Sequence, residues 1–244
     1  MFSRLTHYDS YERHKAVDLL LGQASCRLIL DAGGVAGSLA RFVRETKVIA
    51  LNIDSTGNVR YAGKTFPFGA HTIDAVVSLD TLEHLPREFR KGFVEECVRV
   101  AKRFVLIAAP LGTPAHSAYE AKLDHLYYEV YGTFNRWLHE HIVYGLPTKT
   151  ELIELKQLIS DCGFSVKVLY AGNYEWQCRN LEHSLLLGQS FRSLQKLGGL
   201  FNIAISLALW RKIVFSESPY DVANRFYLLG QRVESDCIFG SSDE

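Results

Sequence analysis

Short runs of consecutive apolar residues alternate with amphipathic or polar segments through the first half of the chain. Strands that are apolar at every position are typical of a parallel sheet whose two faces are both covered by helices. The pattern therefore predicts an α/β fold. The predicted strands of this half are 27–30, 47–54, 73–79 and 103–109.

Apolar residues at helical spacing predict the helices that accompany these strands. Thr148 and Glu151 form a capping box that opens one of them, and Gly163 ends it. Two more apolar runs follow, and the second predicts a final strand that is antiparallel, at or near the edge of the sheet. The predicted helices are 11–21, 38–44, 86–101 and 148–162, and the last two strands are 164–169 and 225–233.

Two stretches break the alternation and are predicted as insertions into a single domain that spans residues 1–244. The segment 111–147 is aromatic and rich in histidine, and connections of such length are often functional loops or lids. The segment 176–214 is predicted to be helical. Its apolar part, 197–210, is shorter than the roughly twenty residues of a membrane span. We therefore expect a buried helix there, with contact to a membrane surface or a lipid-like acceptor as the alternative.

Charge and cysteine content narrow the classes of function. The 27 basic residues balance the 27 acidic ones, which argues against binding a nucleic acid along an extended surface and favours a small acceptor molecule. The five cysteines are odd in number and contain no C-x-x-C pair, so neither a disulfide framework nor a structural zinc site is expected. The first residues contain no signal-peptide core, and together these features predict a cytoplasmic protein.

A glycine cluster, DAGGVAG at 31–37, follows the first predicted strand. Glycine lets a backbone turn sharply and lets a ligand approach without meeting a Cβ atom. A helix that starts behind such a turn favours a carboxylate or phosphate ligand. Val35, however, breaks the G-x-G-x-x-G spacing of dinucleotide-binding folds. A nucleotide-type site, a dinucleotide enzyme and a plain strand–helix turn all stay open at this point.

Asp54 ends the second predicted strand, 23 positions after Asp31. An acid at this place accepts hydrogen bonds from the two ribose hydroxyls of a bound nucleoside. An ordinary turn aspartate would look the same in sequence. Together with the glycine cluster, Asp54 favours a ligand that contains a nucleoside.

The run FPFGAHTIDAVVSLDTLEHLP at 66–86 closely resembles the "LPF…FDVVxxxxxLEHLP" stretch of class I S-adenosylmethionine-dependent methyltransferases, in particular the type 11 group. The resemblance extends in order over about residues 27–110. It implies a Rossmann-like, doubly wound, mostly parallel seven-stranded sheet with an antiparallel last strand. It also implies that S-adenosylmethionine is the cofactor and that the activity is methyl transfer.

The same resemblance assigns roles in cofactor binding. The glycines lie beneath the methionine part, the acid after the second strand takes the ribose, and the residues after the fourth strand line the sulfonium end. The cofactor-binding residues implied in this way are Asp31, Gly33, Gly34, Gly37, Asp54, Leu79 and Asp80.

Three features depart from the family pattern. Val35 stands where the family has a glycine, and 55–63 leaves little room for a crossover helix. No acid is present at 64 or 65 to contact the adenine amine, so adenine recognition would rest on backbone groups and Phe66.

Methyl transfer from a sulfonium is an in-line displacement in which the protein mainly positions the acceptor, and a general base helps when the acceptor is a hydroxyl or an amine. The predicted catalytic residues are His84, His139 and His141, each of which could instead be a structural hydrogen-bonding residue. The spacing around Glu140 lacks the i, i+4 histidines of a helical zinc pair, so no metal site is expected. The other candidate bases are Asp80, Glu83, His116, Glu120, Asp124 and Glu140.

The run RWLHEHIVYGLP at 136–147 resembles the "WLxEHxxYGLP" segment of a bacterial branch of these enzymes, which supports the family and does not identify the acceptor. We expect methyl transfer to a metabolite, a glycan or a lipid precursor. Two alternatives stay open. One is a methyltransferase-like protein that binds a partner or the cofactor without turnover, which Val35 and the missing acid favour. The other is a nicotinamide-dependent dehydrogenase.

Overall fold

Seven strands form one sheet in the computed structural model, which describes residues 8–190 and 213–233. The strand order is β3-β2-β1-β4-β5-β7-β6, and β7 is antiparallel to both of its neighbours. The predicted doubly wound, mostly parallel sheet with an antiparallel last strand is confirmed, and β7 lies one place in from the edge. The strands are β1 (Leu28–Ala32), β2 (Lys47–Asn52), β3 (Val59–Arg60), β4 (Ile73–Leu79), β5 (Ala101–Pro110), β6 (Phe164–Ala171) and β7 (Arg225–Arg232).

Helices cover both faces of this sheet. The predicted capping box is present, because the Thr148 hydroxyl accepts a hydrogen bond from the Glu151 backbone and the Glu151 carboxylate accepts one from the Thr148 backbone. The predictions for α1, α2 and α5 are confirmed to within a few residues. The helices are α1 (Tyr8–Leu21), α2 (Arg87–Val100), α3 (Pro114–Tyr131), α4 (Arg136–Tyr144), α5 (Lys149–Asp161) and α6 (Tyr174–Ser190).

Successive residues of the central strands enter different hydrophobic clusters, as expected for a sheet that is buried on both sides. Leu30 of β1 packs in the cluster that contains residues of α2 and α5. Its neighbour Ile29 packs in the cluster on the opposite face, together with Ala16 and Val17 of α1. The central strands contain continuous apolar runs because both faces of the sheet are buried.

The predicted helix at 38–44 is wrong. Between β1 and β2, both within the described residues, the chain forms only a single 3-10 turn, Leu39–Arg41. Leu39 is the one fully buried side chain of this turn. Because a short helix depends on a buried apolar face to offset its costly nucleation, this segment has too little burial to sustain one. The scarcity of helix after β2 is confirmed, since β3 follows β2 after only a short loop.

The insertion predicted at 111–147 contains two helices, α3 and α4. The sequence showed no clean periodicity because the inward face of α3 is mostly polar: its buried residues are His116, Glu120, Leu123 and Asp124. In α4 no residue is fully buried. Helix α3 packs against α6, and α4 packs against the 3-10 turn Leu82–His84 that follows β4. The role of this insertion as a lid stays a prediction.

The helical insertion predicted at 176–214 is described only in its first part, which belongs to α6. Its apolar stretch 197–210 lies outside the described residues. Within the described part of the chain, no helix has both the length and the apolar character needed to cross a bilayer.

Candidate active site

The predicted cofactor-binding residues lie at or just after the carboxyl ends of β1, β2 and β4, where ligands bind in open α/β sheets. Gly33 follows β1 with a φ of 87° and donates a backbone hydrogen bond of 2.8 Å to Leu51. A Cβ atom on Gly33 would lie 2.3 Å from the Thr81 hydroxyl oxygen, and one on Gly34 would lie 2.0 Å from a carboxylate oxygen of Asp31. The turn is therefore packed from below by two side chains, and only glycine fits there.

The far end of the same turn is open. Gly37 has a φ of 78°, and a Cβ atom placed on it would meet no atom within 4 Å. Because the predicted helix behind the turn is absent, no helix N-terminus is available for an anionic ligand. The backbone N–H groups of Gly33, Gly34 and Ala36 already donate hydrogen bonds within the protein. Those of Val35 and Gly37 are the donors of the turn that could face a carboxylate.

Asp31 is a buried acid beneath this turn. Its burial raises the pKa of the carboxyl to about 7, against the lowering effect of the nearby Arg13 charge. The carboxyl is therefore close to the midpoint of its titration at neutral pH. Its place under Gly34 means that it supports the turn from below, and a contact of Asp31 with the cofactor stays a prediction.

Two polar residues mark the end of β2. Asp54, the predicted ribose ligand, is exposed, and its carboxylate accepts hydrogen bonds from the backbone and the hydroxyl of Thr56, which lower its pKa. Asn52 is the last residue of β2, and its amide nitrogen lies 3.3 Å from the carbonyl oxygens of both Gly33 and Gly34. Asn52 is not among the predicted site residues, although a polar residue near the end of an apolar strand is a signal present in the sequence.

Asp80 and Leu79 occupy the end of β4. Leu79 is nearly buried in the hydrophobic core. The Asp80 carboxylate receives two hydrogen bonds from Arg225, of 2.7 and 2.6 Å, and one of 2.7 Å from Arg13. Burial alone would raise the pKa of Asp80, but these two guanidinium groups hold it well below its usual range. The carboxylate is thus fully engaged, and a contact of Asp80 with the cofactor stays a prediction.

Arg225 connects this carboxylate to α1. Its guanidinium also contacts Asp9, at 2.5 Å, and Glu12, at 3.2 Å. We call the set Asp9, Glu12, Arg13, Asp80 and Arg225 the ion-pair network. It ties α1 and β7 to the end of β4. Neither arginine was singled out in the sequence, since no local pattern indicates so distant a partner.

A second cluster begins three residues after Asp80. Glu83, His84 and His141 each direct one nitrogen or oxygen into a group whose atoms all lie within 4.8 Å of one another. The exposed fraction of Glu83 is 0%, and neither of its carboxylate oxygens has a hydrogen-bond partner. Burial, followed by the charge of Asp80, raises the pKa of Glu83 to about 8, while His141 lowers it.

His141 is part of a series of polar contacts with residues of α3. Its Nδ1 atom lies 3.0 Å from Glu120, whose other oxygen lies 3.5 Å from Nε2 of His116. Burial would raise the pKa of Glu120, but its hydrogen bonds to the two histidines lower it to about 2. The Nε2 atom of His141 is buried without a partner.

His84 lies beside His141, with the two ring centroids 4.8 Å apart. Its Nδ1 atom is 2.9 Å from Glu140, but the contact is poorly aligned for a hydrogen bond. Burial and the neighbouring His141 lower the pKa of His84 to about 4. His139 stands apart from the cluster: its Nδ1 atom lies 3.0 Å from Asp124. Of the three predicted catalytic histidines, the fold thus brings two together.

The chain is similar in fold to several proteins of known structure. No protein-family model and no curated protein matches the chain. A solved S-adenosylmethionine-dependent methyltransferase of Thermotoga maritima matches with a TM-score of 0.55 at 12% identity, covering 95% of this chain and 92% of that one. A protein of Galdieria sulphuraria, provisionally named a sarcosine dimethylglycine methyltransferase, matches with a TM-score of 0.52 at 17% identity, covering 91% and 84%.

A third match is the phosphoethanolamine N-methyltransferase 2 of Haemonchus contortus, solved in complex with S-adenosylmethionine. Its TM-score is 0.52 at 15% identity, and the match covers 90% of this chain and 52% of that one. At such identities the likeness establishes the fold, and a fold alone does not fix a reaction. The sequence motifs and the strand order agree, and the chain has the fold of the class I S-adenosylmethionine-dependent methyltransferases.

Proposed function

We propose that the protein transfers a methyl group from S-adenosylmethionine to a small-molecule acceptor. The observation that carries this proposal is the contact between two turns: Gly33, in the predicted cofactor turn, packs against Thr81, three residues before His84. The place that would hold the cofactor is therefore adjacent to the cluster formed by the buried Glu83 and the partly buried His84 and His141. Such adjacency is what the transfer of a group between two ligands requires.

The residues present fit the cofactor at several points. The turn at 33–37 offers backbone donors to the methionine carboxylate, and Asn52 and Asp54 offer polar groups to the ribose hydroxyls. S-adenosylmethionine, when bound, supplies an electrophilic methyl group on a sulfonium. The task left to the protein is to hold the acceptor in line with that methyl group and to exclude water. We assign the positioning of the acceptor to His84 and His141.

We infer the class of acceptor from the net charge of the chain and from its aromatic side chains. The chain carries no net charge, so nothing favours an extended polyanion over a metabolite, a glycan or a lipid precursor. The aromatic side chains of α3, α4 and the loop between them suit a ring or an acyl chain. The exposed ones include Trp137 of α4 and Phe134 of the loop. A cytoplasmic location remains part of the proposal.

Calorimetric titration with S-adenosylhomocysteine tests the cofactor. We expect micromolar binding by the intact protein and none of NADH. The Asp54→Ala and Asn52→Ala variants should each bind about tenfold more weakly, the effect of one lost polar contact. Asp161→Ala, an exposed acid at the end of α5, is the matched control and should bind like the intact protein.

The outcomes separate the alternatives. A preference for NADH, or no binding of S-adenosylhomocysteine, would overturn the proposal. If only one of the two β2 variants loses affinity, that residue is the ribose ligand. Methyl-labelled S-adenosylmethionine, incubated with pools of candidate acceptors, then tests turnover. Tight binding without any labelled product would identify a non-catalytic relative.

A further inference from the structure

We propose that Glu83, His84 and His141 bind a divalent transition-metal ion, with zinc as the ion best matched to the donors. Each residue contributes one ligand atom, and these atoms lie within 4.8 Å of one another. Two imidazoles and one carboxylate form a donor set that zinc takes in proteins. The site shares His84 and His141 with the acceptor position proposed above, so it bears on that proposal, but metal binding can be measured without methyl transfer.

The first independent observation is the burial of Glu83. Its exposed fraction is 0%, and both of its oxygens lack a hydrogen-bond partner. Buried polar groups are nearly always paired, and a buried carboxylate without a partner is costly. The carboxylate of Asp80, three residues away, is by contrast fully paired with Arg13 and Arg225. A cation between Glu83 and the two histidines supplies the missing partner.

The second observation is the orientation of His141. Its Nδ1 atom is taken by Glu120 at 3.0 Å, which leaves Nε2 buried and without a partner. A metal-binding histidine usually makes this kind of contact through its other nitrogen, because a carboxylate at that nitrogen fixes the tautomer and the ring orientation. Glu120 is held in turn by His116, at 3.5 Å. The supporting shell of a metal ligand is therefore already in place.

The spacing of the donors is close to that of a metal site. Zinc lies roughly 2.0–2.2 Å from nitrogen and oxygen ligands, so tetrahedral donors stand about 3.3 Å apart. The donor atoms observed here lie within 4.8 Å of one another, so binding an ion requires the three side chains to move closer together. Three protein ligands leave a fourth position for water or substrate, as in catalytic rather than structural zinc sites.

Titration of the tag-free, chelator-treated protein with Co²⁺ tests the site, because its visible absorption reports the coordination of the ion. Zn²⁺ is then added to compete. We expect one equivalent of Co²⁺ to bind and Zn²⁺ to displace it. The Glu83→Gln, His84→Gln and His141→Gln variants should each lose about 100-fold or more in affinity. His125→Gln removes an exposed histidine beside Glu129 on α3 and should bind like the intact protein.

Glu120→Gln tests the supporting shell separately. It should weaken binding by about 10–100-fold while the Co²⁺ spectrum keeps its form, since the ligands themselves remain. Circular dichroism of each variant checks that the chain is folded. Failure of the intact protein to bind either ion stoichiometrically would overturn the proposal. Binding by the Glu83→Gln, His84→Gln and His141→Gln variants with the affinity of the intact protein would do so as well. Both results are read without S-adenosylmethionine, so they stand apart from the test of methyl transfer.

Discussion

Asp80 and Glu83 lie three residues apart after the same strand, and the exposed fraction of the side chain is 7% for Asp80 while Glu83 is fully buried. Asp80 is surrounded by the guanidinium groups of Arg13 and Arg225, whereas Glu83 has no hydrogen-bond partner for either oxygen. Their pKa values move in opposite directions for this reason: that of Asp80 falls, and that of Glu83 rises to about 8.

The difference distinguishes two uses of a buried charge. In the ion-pair network every charged group has a partner within the protein, so the network fixes α1 and β7 against the sheet. In the cluster around Glu83 some nitrogen and oxygen atoms have no partner within the protein. An external ion or ligand can supply the missing partner. Low local dielectric makes both arrangements energetically important, since it strengthens a satisfied contact and penalises an unsatisfied one.

Removing the central cation should have the largest effect on stability. In Arg225→Met the carboxylates of Glu12 and Asp80 lose a buried partner, and breaking a buried pair in this way costs about 3–5 kcal/mol. Urea unfolding of the variant measures the loss. Glu95→Gln, which removes an exposed contact with Lys91, is the control and should change stability by less than about 0.5 kcal/mol. A similar small loss in both variants would contradict a structural role for the network.

The buried acid at the end of β1 should make stability depend on pH. Below its unfolded pKa of 3.8 Asp31 is protonated in both states, and its contribution to stability is complete. As the pH rises toward about 7 the unfolded chain ionises first, so this contribution is lost. The loss relative to Asp31→Asn should be on the order of 4 kcal/mol. Unfolding curves at several pH values check it, and a constant difference would show that Asp31 is not held neutral.

The glycine turn allows a similar comparison, because Gly33 is closely packed whereas Gly37 is open. Gly33→Ala places a methyl group against Thr81 as well as straining a positive φ, and should cost about 2 kcal/mol. Gly37→Ala has the strain without the clash and should cost about 1 kcal/mol. The double variant with Thr81→Ala should recover part of the Gly33→Ala loss. Equal losses at the two glycines would mean that the contact with Thr81 is not tight.

The smallest effect on stability is expected at Glu83. At about pH 4 the Glu83 carboxyl is mostly protonated in both the folded and the unfolded chain, and no hydrogen-bonded partner would be left behind. Glu83→Gln should therefore change the free energy of unfolding by less than about 1 kcal/mol at that pH in metal-free buffer. Asp80→Asn, measured beside it, should cost several times more. A large loss in Glu83→Gln would show that the carboxylate is paired in solution, which would remove the contrast between the two acids.

Much of the fold could be predicted because its signals are local. The apolar runs of β1, β4 and β5, the capping box at Thr148 and the glycine at 163 each report a few adjacent residues. The predictions were wrong or incomplete where the residue types of a segment did not match how deeply the fold buries them. The segment 38–44 reads as helical but buries only Leu39 in its turn, and α3 was missed because its inward face carries histidine and acidic side chains.

The sequence by itself determined the class of fold, the order of its motifs and the edge of the sheet where the site lies, since these follow from periodicity and from strand ends. Only the tertiary structure decided which acids are paired. Arg13 and Arg225 lie 67 and 145 positions from Asp80, and His141 reaches Glu83 from a different element. The sequence does not show whether an acidic side chain is paired with a cation or has no partner. The difference arises from the charges that the fold brings to it.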